Sequence, residues 1–369
     1  MLPDEYRTLP EPELMARIAA AKEKLGPDLV ILGHHYQRDE VIRFADHSGD
    51  SLELSRVAAA QRKARYIVFC GVDFMAETAA MLCDPSQVVL LPAVDAPCPM
   101  AQMTDVGDAL VAWDALTARW GEDALLPITY QNSTAALKAF CGRRGGAVCT
   151  SANARQVFRW ALDQGRRILF FPDEWLGRNT ALALGIPPQR IAVWDPADPS
   201  TALRTRLDGG CPDACTERSR SVSQAQVVVW KGYCHVHTFF TVEHVRAVRE
   251  QYGDITVVVH PECKVEVVQA ADLNGSTSFI LRAVRDASPG SQWAVGTEIN
   301  MVARLAREYP DKTVVPLARS LCGAMYRTGE RSLLYTLEEL LHGRFVGQVQ
   351  VPADTTHWAN LALERMLRL

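Results

Sequence analysis

The chain has 369 residues, 48% of them apolar and 22% charged, and its 39 Lys and Arg against 43 Asp and Glu leave a formal net charge of -4. These are ordinary values for a soluble globular protein, and they argue against a nucleic-acid surface or an acidic-membrane surface. The opening "MLPDEYRTLPEPELMARIAA" is acidic and lacks the apolar core of a signal peptide, and no run approaches the roughly 18 apolar residues that cross a bilayer, so a cytoplasmic location is expected.

The first predicted element is a helix from Glu11 to Leu25, with Leu14, Met15, Ile18 and Leu25 on its apolar face and Gly26-Pro27 ending it. Short apolar runs then alternate with amphipathic segments. "DLVILGHH", "RYIVFCGV" and "QVVLLPAVDAPC" read as strands, separated by the helices "DSLELSRVAAAQRKA" and "DFMAETAAML". The pattern restarts at "ALLPITYQNS", followed by "TAALKAFC", "AVCTSAN" and "RILFFPDE". It restarts again at "QVVVWKGYCHVH", with "TVEHVRAVREQYG", "DITVVVHPE", "QWAVGTE" and "MVARLAREYP" after it. Continuous apolar strands alternating with helices predict parallel sheets covered on both faces. The layout therefore predicts three similar α/β units, each of a size that can fold alone. The expected division is an N-terminal helix at 1–26, domains at 27–122, 123–226 and 227–345, and a C-terminal segment at 346–369. Residues 195–224 read as a surface insertion rich in Asp, Pro, Gly and Ser. The tail is expected to be a packing helix capped by Asp354, with Trp358, Leu361 and Leu369 on one side.

In open parallel sheets, ligands bind beyond the carboxyl ends of the strands. Those ends carry His34, His35, Tyr36 and Gln37, with Glu77 and Cys98, in the first unit. The second unit offers Tyr130, Asn132, Thr150, Ser151, Asn153, Asp173 and Glu174. The third offers Cys234, His237, His260, Glu262, Ser276, Thr277 and Glu298. Plainer roles compete with each. Tyr130-Asn132 and Ser151-Asn153 precede helices and are candidates for caps, and Ser276-Thr277 reads equally as a turn or as a phosphate site at a helix start. No GxGxxG or GxxxxGK[ST] loop is present, which disfavours a dinucleotide fold or a P-loop.

The ten cysteines are spread along the chain, as reduced thiols of a cytoplasmic protein would be, and Cys70, Cys83 and Cys141 read as small buried hydrophobes. Cys234 and His237, with His260 as a third donor, form a plausible zinc set. One cysteine from each of three segments would instead suit an iron–sulfur centre: Cys98, Cys234 and Cys322. Spacing alone does not select that trio from the ten.

Ten stretches together resemble the quinolinate synthase family, the A protein of de novo NAD biosynthesis, in its longer bacterial form. They are "GHHYQ", "GDSLELS", "FCGVDFMAETAAML", "YQNSTAALKA", "CTSAN", "FFPDEWLGRNT", "WKGYCHVH", "VVVHPEC", "DLNGSTSFI" and "GTE", in family order. The resemblance implies three homologous three-layer α/β/α domains with parallel sheets about a pseudo-threefold axis, and an active site at their central junction. It implies a [4Fe-4S] cluster held by Cys98, Cys234 and Cys322, with one iron left open as a Lewis acid. It implies condensation of iminoaspartate with dihydroxyacetone phosphate to give quinolinate, phosphate and two waters. Catalytic roles would fall to His34, Tyr36, His237 and Glu262. Substrate contacts would come from Asp50, Ser51, Tyr130, Asn132, Ser151, His260, Ser276 and Thr277.

The expected partners are those small molecules, iron–sulfur assembly machinery and transient handover from an aspartate-oxidising enzyme, with no nucleic acid and no membrane. The chain departs from the family pattern at Pro97-Cys98-Pro99, where Gly-Cys-Ser is usual, and at Ala152, where a hydroxyl is lost. Cys211 and Cys215 lie outside the shared motifs and read as inert or weakly redox-sensing. Two other functions compete: a zinc or iron hydrolase or lyase built on Cys234, His237 and His260, and a noncatalytic iron–sulfur sensor on the same fold.

Overall fold

A computed structural model describes residues 2–198 and 224–369 of the chain. Cys211, Cys215 and most of the predicted insertion lie outside the described residues. Three parallel sheets organise the rest, each flanked by helices.

The first sheet contains β1 (Leu29–His34), β2 (His47–Gly49), β3 (Tyr66–Cys70) and β4 (Val88–Leu90), in the order β2-β1-β3-β4. The second contains β5 (Leu125–Tyr130), β6 (Ala147–Cys149), β7 (Arg167–Phe171), β8 (Ile191–Trp194) and β9 (Val227–Trp230), in the order β6-β5-β7-β9-β8. The third contains β10 (Thr256–Val259), β11 (Leu273–Asn274), β12 (Gln292–Gly296) and β13 (Thr313–Pro316), in the order β11-β10-β12-β13. The expected repeat of layout is present. In each sheet the second strand in sequence lies outside the first, and the third lies on the first strand's other side. The second sheet differs by one strand, β8, added outside β9.

The strands read as continuous apolar runs because both faces are covered. All six residues of β1 and all six of β5 are buried. One assignment changes. The sequence predicts that "QVVVW" opens the third unit, but β9 pairs Ile168 with Val227 and Phe170 with Val229 along β7, and Ile191 with Val227 along β8. It therefore belongs to the second sheet, and Cys234 follows that sheet. An apolar run after a long polar insertion marks a strand but carries no information about its partner.

The chain divides into two compact units. The first holds Met1–Cys98, Val242–His260 and Ala271–Pro352, and so contains the first and third sheets. The predicted helix Glu11–Leu25 forms with those bounds and closes at Gly26, whose φ of 52° suits glycine. Its Leu14 and Ile18 share a core with Ile31 and Val68 of the first sheet and with Leu333, Leu334 and Leu337 of the helix Glu330–Leu341. Arg17 locks that pairing with a two-pronged contact to Glu338, at 2.9 and 2.7 Å, which also accepts the Tyr6 hydroxyl at 2.7 Å.

The second unit holds Pro99–Thr241, Pro261–Ala270 and Ala353–Leu369. The helix Val106–Trp120 packs here, with the Trp113 ring edge-on to Phe140 at 6.1 Å. The C-terminal helix Ala353–Arg368 lies on the helix Ala135–Arg143, and its packed face differs from the predicted one. Ala359, Ala362, Leu363 and Met366 are buried, while Leu369 is exposed. The reason is close approach at Gly142, where a β-carbon would stand 1.8 Å from the Trp358 carbonyl oxygen. Small residues let two backbones meet, so the alanine side wins over the larger one. Asp354 lies inside the first turn, where it pairs with Arg143 and accepts the Trp358 indole N–H at 3.2 Å.

Candidate active site

In the second unit, β9 is followed by a tight turn. A β-carbon on Gly232 would lie 2.2 Å from the Pro172 carbonyl, so only glycine lets the chain pass there. Cys234 and His237 come next, and Glu262 joins them from the segment 261–270 of the same unit. His237 Nδ1 lies 2.5 Å from Glu262 Oε2, with both side chains almost wholly buried. One donor atom from each of Cys234, His237 and Glu262 falls within 4.8 Å of the others, a spacing able to hold a metal ion. The third donor of this local group is thus Glu262, where the sequence pointed to His260. His235 is exposed.

Two contacts hold this group. Asn179 donates from Nδ2 to the carbonyls of Pro261 and Cys263, both at 2.8 Å, and so brackets Glu262. Asp173, just past β7, accepts the Leu176 N–H at 2.6 Å through Oδ1 and the Cys234 N–H at 3.2 Å through Oδ2. Burial, and then the neighbouring Glu262 carboxylate, push Asp173 well above the usual carboxylate range. Tyr130 is buried at the end of β5, and Asn132 Oδ1 is buried with no hydrogen-bond partner among the described residues. The helix after Asn132 is capped by Thr134. Ser151 is half-buried, and Asn153 ties Thr150 to the C-terminal helix, accepting the Thr150 N–H at 2.8 Å and donating to the Met366 carbonyl at 3.0 Å.

In the first unit, the turn after β1 is bound to the third sheet. His34 Nδ1 accepts the Tyr36 N–H at 3.2 Å, and the two rings meet edge-on at 4.7 Å. The Tyr36 hydroxyl lies 2.7 Å from Thr297 Oγ1, just past β12. His35 is buried, 3.2 Å from Ser278 Oγ, and the Ser278 hydroxyl donates to Glu53 at 2.5 Å. Arg304 donates to the His35 and Gln37 carbonyls. Burial first, and then Arg304, push His35 down to about 4.

The remaining predicted contacts are also here. Asp50 caps the helix Ser51–Ala60, accepting the Leu52 and Glu53 N–H groups at 3.0 Å. Ser51 is that helix's first residue. Ser276 caps the helix Thr277–Asp286 through the Phe279 N–H at 3.3 Å. Thr277 Oγ1 is buried without a hydrogen-bond partner among the described residues. His260, at the end of β10, is buried and donates its backbone N–H to Gly296 at 3.1 Å.

The described cysteines sort by exposure. Cys70, Cys141, Cys149 and Cys263 are buried, whereas Cys83, Cys98, Cys234 and Cys322 are half-buried. Burial pushes the Cys70 thiol up to about 12 and raises Cys141 and Cys149 further. Cys83 ends a helix and burial raises it as well. Cys98, Cys234 and Cys322 each stand past a strand end.

The family described as Quinolinate synthetase A protein matches residues 16–368. The chain belongs to the quinolinate synthase family of enzymes. It is 47% identical over its full length to a quinolinate synthase of Bacillus cereus, covering 96% of that protein. It is 46% identical, with the same coverage, to one of Bacillus anthracis. A quinolinate synthase of Acidobacterium capsulatum is 47% identical over 99% of the chain and 95% of its own length. The family match accords with the three parallel α/β sheets, and the Cys234–His237–Glu262 group gives the chain a candidate metal centre. Among the described residues, no helix is long and apolar enough to cross a membrane.

Several groups that shape this site have no role in the sequence prediction. Glu53, Ser278 and Arg304 hold the β1 turn through contacts between distant segments. Asp73 leaves only a faint signal, an acid at the start of a helix directly after an apolar strand.

Proposed function

We propose that the chain makes quinolinate from iminoaspartate and dihydroxyacetone phosphate, releasing phosphate and two waters, with a [4Fe-4S] cluster held by Cys98, Cys234 and Cys322. Family membership supports the reaction. The donor set suits the cluster: these three thiols are half-buried and stand in loops, whereas the sealed thiols of Cys70, Cys141 and Cys149 resist becoming thiolates. When bound, an iron without a protein ligand would supply Lewis acidity toward a departing hydroxyl or a carboxylate.

The observation that carries the proposal is the buried His237–Glu262 pair beside Cys234. His237 Nδ1 stands close enough to Glu262 Oε2 to exchange a proton with it, and a neutral ring keeps one nitrogen as a proton acceptor. Once Nε2 has taken a proton from the substrate, the pair carries one more proton and presents an acid. One pair can therefore take and return protons in enolisation and dehydration. His34 and Tyr36 act on the triose, whose isomerisation needs a proton moved between adjacent carbons. Tyr130, Asn132, Ser151 and His260 orient the carboxylates. The buried, unpartnered Asn132 Oδ1 and Thr277 Oγ1 are the kind of polar atoms that a ligand satisfies. Ser276 and Thr277 open a helix and receive phosphate or carboxylate, while Asp50 and Ser51 frame the same substrate from the helix they begin.

A second reading rests on the same local group. Cys234, His237 and Glu262 can hold a single zinc or iron ion, as in a hydrolase or lyase. Anaerobic purification with metal analysis and a quinolinate assay separates the two. The proposal requires roughly four irons and four sulfides per chain, colour lost in air, and quinolinate formed from both substrates. Cys98→Ala, Cys234→Ala and Cys322→Ala should each lose the cluster. Stoichiometric zinc in a colourless, active protein, or full cluster retention in Cys98→Ala, would reject it. A loaded cluster without quinolinate would favour the noncatalytic sensor.

A further inference from the structure

The three cysteine loops share one feature that their sequences do not. In each sheet, the third strand is followed closely by an acidic residue whose side chain accepts the backbone N–H of the cysteine that comes after the neighbouring strand. Asp73 follows β3 and accepts from Cys98 at 3.1 Å; β3 pairs with β4, which leads to Cys98. Asp173 follows β7 and accepts from Cys234 at 3.2 Å; β7 pairs with β9, which leads to Cys234. Glu298 follows β12 and accepts from Cys322 at 3.5 Å; β12 pairs with β13, which leads to Cys322.

Each carboxylate also holds the start of the helix after it. Asp73 accepts the Phe74 N–H at 2.8 Å, and Asp173 that of Leu176 at 2.6 Å. Glu298 accepts from Asn300 at 2.8 Å and Met301 at 3.4 Å.

We propose that Asp73, Asp173 and Glu298 are a matched set of positioning residues, one per sheet, that fix the backbone at Cys98, Cys234 and Cys322 for metal binding. A cysteine just past a strand end has lost its place in the hydrogen-bonded ladder, so its N–H needs another acceptor. A carboxyl group offers two oxygens that can accept, and here it is tied to the start of the helix that follows it. The loop is thereby ordered before any metal arrives, which removes part of the ordering cost from binding. The recurrence is the main support. An isolated contact of this kind is a helix cap that happens to reach a neighbour, but three contacts in the same place of three repeated sheets follow the cysteines.

The inference rests on the reading that these cysteines bind the metal centre, and its test keeps the two apart. Asp173→Asn and Glu298→Gln preserve shape. Their amide oxygen can still cap the helix, while the amide NH2 faces the cysteine N–H; Asp173→Asn thus loses only the cysteine contact, and Glu298→Gln loses the Asn300 Nδ2 contact along with it. Asp73→Ala removes the third. Asp105→Asn, at the cap of the helix Val106–Trp120, is the control for capping alone. Iron loss to a chelator is followed anaerobically in the full chain, together with the melting temperature of each metal-free protein. The set should lose iron about tenfold faster or more, as expected for groups that support ligands, while Asp173→Asn and Glu298→Gln melt no lower than Asp105→Asn; Asp73→Ala, which also gives up the Phe74 contact, is read on iron loss alone. Iron loss at the unaltered rate, or a gain matched by Asp105→Asn, overturns the inference. If Asp73→Ala does not fold, the two isosteric variants decide. If the unaltered protein takes up no iron and sulfide, the metal reading fails instead.

Discussion

Glu262 Oε2 lies 2.5 Å from His237 Nδ1, and neither side chain reaches solvent to any useful extent. A carboxylate and an imidazole at that distance are placed to exchange a proton. Glu262→Gln replaces the acceptor with a group that cannot take the proton. Turnover should fall by about 10²- to 10⁴-fold, with iron and sulfide content unchanged. Steady-state kinetics beside metal analysis checks this, and an unchanged rate would remove Glu262 from proton transfer.

Thr277 Oγ1 is a buried hydroxyl oxygen without a partner among the described residues, at the first position of its helix. A phosphate or carboxylate would accept from it and from the helix N–H groups. Thr277→Val keeps the shape and deletes the donor. A hydrogen bond to a charged group is worth about 1.5–3 kcal/mol, so KM for one substrate should rise by about tenfold or more, with a smaller change in kcat. An unaltered KM for both substrates would show that the hydroxyl meets neither.

His35 gives the metal-free protein a pH dependence. Burial, with Arg304 and Arg282 against the proton and Glu53 in its favour, pushes the ring from its ordinary 6.5 to about 4. As pH falls, the unfolded chain binds this proton first, so the folded state loses stability between pH 6.5 and 4. That contribution is complete above pH 6.5. The shift corresponds to a loss on the order of 3 kcal/mol. Urea unfolding across that range should show a steep fall in the unaltered protein and a shallower one in His35→Gln. Equal slopes would contradict it.

Gly142→Ala should loosen the C-terminal helix. The added methyl would stand 1.8 Å from the Trp358 carbonyl oxygen, so the two helices must part. Overpacking of this kind costs about 1–3 kcal/mol and sometimes more. Denaturant unfolding should show the loss, with earlier proteolytic release of residues 353–368. A midpoint equal to the unaltered protein's would mean that the contact relaxes freely.

The strand-end positions of many candidate residues are legible before folding because parallel sheets gather polar groups at one edge. Tyr130, His34 and His260 could be found by reading only where apolar runs stop. Partners could not be found that way. β9 is an apolar run with two possible homes, and its pairing with β7 and β8 is not written in its own residues. The face of the C-terminal helix also escapes periodicity. Hydrophobicity favours Trp358 and Leu361, but a glycine on the opposing helix makes alanines the better fit.

The sequence by itself determined the alternation of strand and helix, the repeated layout and the family, because these depend on local period and on residues adjacent in the chain. Only the tertiary structure decided that Glu262 rather than His260 completes the group with Cys234 and His237. It alone brought Asp73, Asp173 and Glu298 to the N–H groups of three distant cysteines. A hydrogen bond needs two atoms about 3 Å apart, and between remote segments that distance is set by how the strands pair, not by either segment's own residues.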